Sequence, residues 1–246
     1  MTVPLDRRLE SAPGPLFAPM GLALPLRVEQ TGRDAFDTDP ALASFTLRSA
    51  RAALEADAMA AGFDHAGVPS EATLALTRRL ADEIGGDATV LGTLPAPAAP
   101  GGAGTVEDAA RRTTAAVEGL CGAGAGALVM LEAAEDPDPA PFRGFDAAFN
   151  LAAYYQVPVL YLARHAQAPG VLDAARAAGA RWAVGPGDAD GAVASVPLDL
   201  FDGDGAAASA WAAGLPRGVR LYVSSWEIPA GKPVEAVAAV RRALCA

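Results

Sequence analysis

Short runs rich in β-branched and aromatic residues alternate with longer segments of helical periodicity along this chain. That alternation restricts the fold more than any other feature, because it demands βα units around a parallel sheet. A first strand is expected over Leu16–Leu24. Asp39 then reads as an N-cap with Pro40 at the first helical position, opening a helix to about Ala61. Gly62-Phe63-Asp64-His65 reads as a short strand or strand end, and Ser70 with Glu71 starts a helix to about Gly85. Further strands are expected at Ala88–Thr93, Ala127–Glu132, Val157–Leu162, Trp182–Val184 and Ala192–Val196, with a final one opening at Val219. Helices are expected at Val106–Leu120 behind the cap Thr105, then at Phe145–Tyr155, Val171–Ala178, Ala206–Ala213 and Val234–Leu244. The sum is roughly eight βα units, and a (β/α)8 barrel usually needs about 250 residues. An open doubly wound sheet has the same periodicity. No composition break calls for a second domain, so residues 1–246 are taken as one.

The balance of charge removes some classes of function. A formal charge of -10 argues against a nucleic-acid surface, which needs clustered Lys and Arg. No apolar run approaches a membrane span, and no signal peptide is visible at the N-terminus, so a soluble cytoplasmic protein is expected. Lys232 is the single lysine, so Schiff-base chemistry would have no other residue to use. Cys121 and Cys245 are too few for a disulfide framework or a zinc cluster.

The run Val219-Arg220-Leu221-Tyr222-Val223-Ser224-Ser225-Trp226-Glu227-Ile228-Pro229-Ala230-Gly231 carries the most specific signal. It resembles the segment near the end of the uroporphyrinogen decarboxylase superfamily, where a last barrel strand leads through a small-residue turn into an Ile-Pro segment and a closing helix. Asp39-Pro40, Gly62-Phe63-Asp64, Val90 to Pro97, Gly122 to Glu132, Pro158 to Arg164 and Ala177 to Val184 are similar to further parts of that family. The resemblance favours a single compact (β/α)8 TIM barrel over the open sheet.

It also implies a site. Gln30-Thr31-Gly32-Arg33 keeps half of the family's carboxylate-binding arginine loop, so Arg33 is expected to hold a carboxylate. Asp64, with His65 beside it, matches the aspartate after the second strand and is expected to stabilise charge. His165 or Glu132 is expected to move a proton, with Arg164, Trp226 and Glu227 beside them at strand ends. Trp226 stands where the decarboxylases carry histidine and the zinc-dependent methyltransferase relatives carry a metal-binding cysteine. The His-x-Cys of those relatives is absent from Ala163-Arg164-His165-Ala166, so neither metal nor cofactor is expected. The leading reading is decarboxylase-like chemistry on a small-molecule carboxylate or tetrapyrrole-like ligand. The alternatives are one-carbon transfer with a corrinoid protein as partner, or a non-catalytic ligand-binding protein. A homodimer is the assembly considered.

Two other motifs read as structural. Cys121-Gly122-Ala123-Gly124-Ala125-Gly126 follows a helix and precedes a strand, the reverse of a dinucleotide loop, and reads as a helix end with its turn. Asp188, Asp190 and Gly191 lack the remaining ligands of a calcium loop and read as a turn.

Overall fold

The computed structural model describes residues 2–63, 68–97, 105–166 and 169–246. Its elements in chain order are α1 (Leu5–Ser11), β1 (Leu16–Ala18), α2 (Ala23–Val28), α3 (Arg33–Thr38), α4 (Pro40–Leu54) and β2 (Ala58–Ala60). There follow α5 (Glu71–Ile84), β3 (Thr89–Pro95), α6 (Val106–Gly122), β4 (Ala127–Glu132), α7 (Asp146–Tyr154), β5 (Val159–Ala163) and α8 (Pro169–Ala178). The last group is β6 (Trp182–Val184), β7 (Ala189–Asp190), β8 (Val193–Val196), α9 (Ala206–Ala213), β9 (Leu221–Ser224) and α10 (Val234–Leu244).

Helix starts follow their local chemistry. Asp39 accepts hydrogen bonds from the Ala41 and Leu42 N–H groups at 2.8 and 3.1 Å, with Pro40 at the first position. Ser70 accepts from Thr73, and Thr105 with Asp108 forms a capping box. The Cys121–Gly126 segment is the end of α6 and its turn, with Gly124 in the left-handed region at φ +93. Two early expectations need correction. The first strand stops at Ala18, and residues from Ala23 form α2 instead of continuing it. The second strand is Ala58–Ala60, ahead of the expected segment, of which Gly62 and Phe63 are outside the strand and Asp64 and His65 outside the described residues. It starts early because α4 ends at Leu54, where Glu55 turns left-handed at φ 51. The run Ala52 to Ala61 has helical propensity throughout, but pairing of Ala58 with Thr89 and Ala60 with Leu91 outweighs it.

The parallel strands form two arcs, β2-β3-β4-β5-β6 and β1-β9-β8, with the short β7 added antiparallel to β8. The arcs meet where β1 lies against β2 and β6 against β8, so eight parallel strands make one ring wrapped by helices. This is the (β/α)8 barrel. The two seams lack a continuous ladder, and an aspartate stands at each. At the first, Asp57 donates its N–H to the Phe17 carbonyl at 2.9 Å, and its Oδ2 accepts from the Phe17 N–H at 2.9 Å. At the second, Asp190 Oδ2 accepts from the Ala183 N–H at 2.8 Å and is held by Arg176 Nε at 2.8 Å. A carboxylate thus supplies the acceptor that a missing neighbour strand would have provided. The expected turn at Asp188–Gly191 is this β7 corner, with Gly191 at φ +56.

Strand alternation sorts the core into two layers. Leu91, Val129, Leu131, Leu160, Leu162, Trp182 and Val184 share the inner face. Leu128, Met130, Tyr161 and Ala183 share the outer face, packed with Val117, Leu120 and Phe149 of α6 and α7. The N-terminal helix α1 buries Leu5 and Leu9, and the Leu5 N–H reaches the Gly126 carbonyl just before β4.

Candidate functional site

The Ser224–Ile228 run that gave the strongest sequence signal is, first, a lock between the ends of β9 and β1. Ser224 Oγ accepts from the Met20 N–H at 2.8 Å and donates to the Trp226 carbonyl at 2.8 Å. The Ile228 N–H reaches the Met20 carbonyl at 3.0 Å. Glu227 Oε1 accepts from the Leu22 and Ala23 N–H groups at 2.8 and 2.9 Å, so its carboxylate sits at the start of α2. Gly21, at φ +96, lets these two segments touch: a Cβ there would lie 2.2 Å from Glu227 Cγ.

Beside this lock, at the C-terminal ends of β5, β6, β8 and β9, lies a cleft of about 710 Å³. Arg164, His165, Asp199, Ser225, Trp226 and Glu227 are among its lining residues. Trp226 is 8% exposed and meets the Phe63 ring edge-on at 5.2 Å. The Arg164 guanidinium stands over the Trp226 ring, 5.9 Å from its centroid. The cleft has the size and the mixed apolar and polar wall of a small-molecule site, and it occupies the end of the barrel where such sites are built.

The expected site residues divide into groups. Arg164, His165, Trp226 and Glu227 come together in this cleft, although Glu227 has one oxygen committed to α2. Arg33 does not join them. It is exposed, pairs with Asp37 at 2.7 Å, and lines a separate narrow groove with Phe36, Gly62 and Ser70. The physical reason is that the loop after β1 folds into α2 and α3, which carry Arg33 away from the ring. Glu132 is not in the lining either. It ends β4 paired with Ala163, and alternation aligns it with Met130 on the helix-facing side. Asp64 and His65 lie outside the described residues. Asp199, just beyond β8, was not singled out from sequence; its position after a strand end and Pro197 was the available signal.

Glu132 is nonetheless unusual. It is fully buried, and Oε1 accepts from the Ala134 N–H at 2.8 Å while Oε2 meets no hydrogen-bond partner. Desolvation pushes its carboxyl above the usual range, opposed by the backbone N–H groups of Ala134 and Ala133 and by nearby Tyr161. Tyr161 is pushed up in turn, by burial first and then by the Glu132 charge, although its hydroxyl makes no well-aligned hydrogen bond. Between the ordinary carboxylate range and the raised value, the folded state binds more protons than the unfolded chain. Stability on account of Glu132 therefore falls as pH rises through that window. Glu132→Gln is expected to gain stability relative to the parent as pH rises above the ordinary carboxylate range, measured by urea unfolding at several pH values. A difference that stays flat across this rise would refute the raised carboxyl.

The thiols do not suit zinc. Cys121 is buried in the helix layer with its thiol pushed up to about 12, and Cys245 is pushed up to about 11, burial leading in both cases. Neither lines the cleft beside Trp226, so neither is placed to ligate a metal there. Among the described residues no three His, Cys, Asp or Glu side chains are grouped to hold a metal ion. Among the same residues no helix is long and apolar enough to cross a membrane.

No family model and no curated protein sequence matches the chain. Solved structures do. A methyltransferase from Methanosarcina mazei aligns with a TM-score of 0.71 at 14% identity, covering 96% of this chain and 95% of that one. The apo form of the homocysteine methyltransferase MmuM from Escherichia coli aligns with a TM-score of 0.53 at 14% identity, covering 96% and 98%. At such identities the likeness is one of fold, and it agrees with the ring of strands: the chain is a (β/α)8-barrel protein.

Proposed function

We propose that the chain is a methyl- or other one-carbon transferase whose acceptor enters the cleft beside Trp226. The observation that carries this reading is the likeness to a methyltransferase over nearly the whole of both chains. The open cleft adds support, since a barrel mouth filled by side chains would favour a non-catalytic role. The decarboxylase-like reading loses ground because Arg33 lines a separate groove and Glu132, though close to Arg164 along the backbone, falls on the helix-facing side. The placement agrees with a distant tie to the uroporphyrinogen decarboxylase superfamily, on its methyltransferase side.

In this reading the acceptor gives its proton to His165 and gains the methyl group, while the electron pair of the broken bond stays with the donor. A corrinoid-bearing partner protein is the donor the superfamily resemblance suggests, and no zinc-thiolate step is involved. The test is methyl transfer from free methylcobalamin to a panel of small thiols and amines, followed by the cobalamin spectrum. Turnover that drops by about a hundredfold in His165→Gln supports the role of the imidazole as base. No turnover with any acceptor, together with release of carbon dioxide from a carboxylated tetrapyrrole, would return the chain to decarboxylation.

A further inference from the structure

The cleft holds two opposite charges that do not neutralise each other. Arg164 is exposed and forms no ion pair with a described residue; its guanidinium stands over the face of Trp226. Most arginines engaged elsewhere in this acidic protein meet a carboxylate, as Arg33, Arg48, Arg79, Arg111, Arg176 and Arg241 do. Asp199, on the wall built after β8, is likewise exposed with no ion pair among the described residues. The third charged group, Glu227, already accepts two backbone N–H groups of α2 through one oxygen.

A guanidinium that stands over an indole face, with no carboxylate among the described residues paired to it, keeps N–H groups for an anion. That is the arrangement suited to a planar, two-oxygen anion. A carboxylate such as Asp199 on the neighbouring wall offers its charge to an ammonium group. Between them the cleft-facing part of the largely buried Trp226, with Pro197, Leu198 and Pro229, supplies apolar surface. We propose that the cleft selects a zwitterion of the amino-acid type, its carboxylate on Arg164, its ammonium on Asp199 and its apolar body against Trp226. This inference rests on the reading of the cleft as the acceptor site, and it names the class of acceptor.

The experiment is calorimetric and thermal-shift binding of L-norleucine, its methyl ester and its N-acetyl derivative, with a series of ω-amino acids from glycine to 6-aminohexanoate to measure charge separation. Norleucine, or one member of the series, is expected to bind at least about tenfold more tightly than forms lacking either charge. Arg164→Gln should erase the preference for acid over ester, and Asp199→Asn the preference for free over acetylated amine. Arg164→Lys, which keeps the charge without the fork, should retain part of the first preference. Both positions are exposed, so folding is not at stake, and circular dichroism checks it.

Equal binding of norleucine, ester and N-acetyl form, or no binding across the panel, overturns the inference. Zwitterion binding without methyl transfer to any member would leave this site standing and remove the transferase reading. Methyl transfer to neutral thiols at rates unchanged in Arg164→Gln and Asp199→Asn would do the reverse.

Discussion

Gly21→Ala is expected to cost about 4 kcal/mol of stability and to lower the melting temperature by about 10 °C. Two effects add. A non-glycine residue in the left-handed region costs roughly 1–2 kcal/mol, and Gly21 sits at φ +96. The added Cβ would also lie 2.2 Å from Glu227 Cγ and 2.9 Å from its Cα, so the backbone of the loop after β9 must move. That movement pulls Glu227 from the Leu22 and Ala23 N–H groups and strains the bonds that Met20 makes with Ser224 and Ile228. Glu227→Ala alone loses the carboxylate at α2 and should cost about 2 kcal/mol. Because it also removes Cγ, the double variant should be less destabilised than the sum of the singles. Urea unfolding of the three variants decides it. A Gly21→Ala protein within about 0.5 kcal/mol of the parent would mean that the two strand ends are not locked as described.

The second large effect is expected at the first seam. Asp57→Ala should cost about 3 kcal/mol, since it leaves the N–H of fully buried Phe17 without an acceptor. The pairing of Asp57 with Arg241 at 3.8 Å contributes less, because both side chains remain about a quarter exposed. Asp57→Asn keeps an oxygen in place and should cost about half as much. Hydrogen exchange gives an independent reading: the Phe17 amide should exchange faster in the alanine variant and stay protected in the asparagine variant. Equal losses in the two variants would assign the stabilisation to the charge facing Arg241 and not to the bond across the seam.

Much of the barrel was legible because its strands follow a simple rule. Ala127–Glu132, Trp182–Val184, Ala206–Ala213 and Val234–Leu244 keep the bounds that periodicity and caps gave them. The misplaced second strand shows where that rule fails. Nothing local distinguishes Ala58-Met59-Ala60 from the helix before it; only the neighbouring β3 offers the backbone partners that make it a strand. The chain's most specific motif was recognised as a family likeness, yet its residues act in part as a fastener, with Ser224 and Glu227 spent on backbone groups from the other end of the chain.

The site was legible by address more than by chemistry. Residues just past β5 and β9 were expected at the barrel mouth, and Arg164, His165 and Trp226 do line one cleft. Glu132 ended the right strand on the other face, a one-residue matter of alternation that only the register fixes. Arg33 belonged to the right loop, but the α2–α3 excursion carries it away. The sequence by itself determined the element types, most helix caps and the parallel architecture, because these depend on neighbours within a few residues. Tertiary structure alone decided which charges share a cavity, which carboxylate is buried and where the ring closes. Those outcomes depend on contacts between residues as distant as Gly21 and Glu227, which no local pattern encodes.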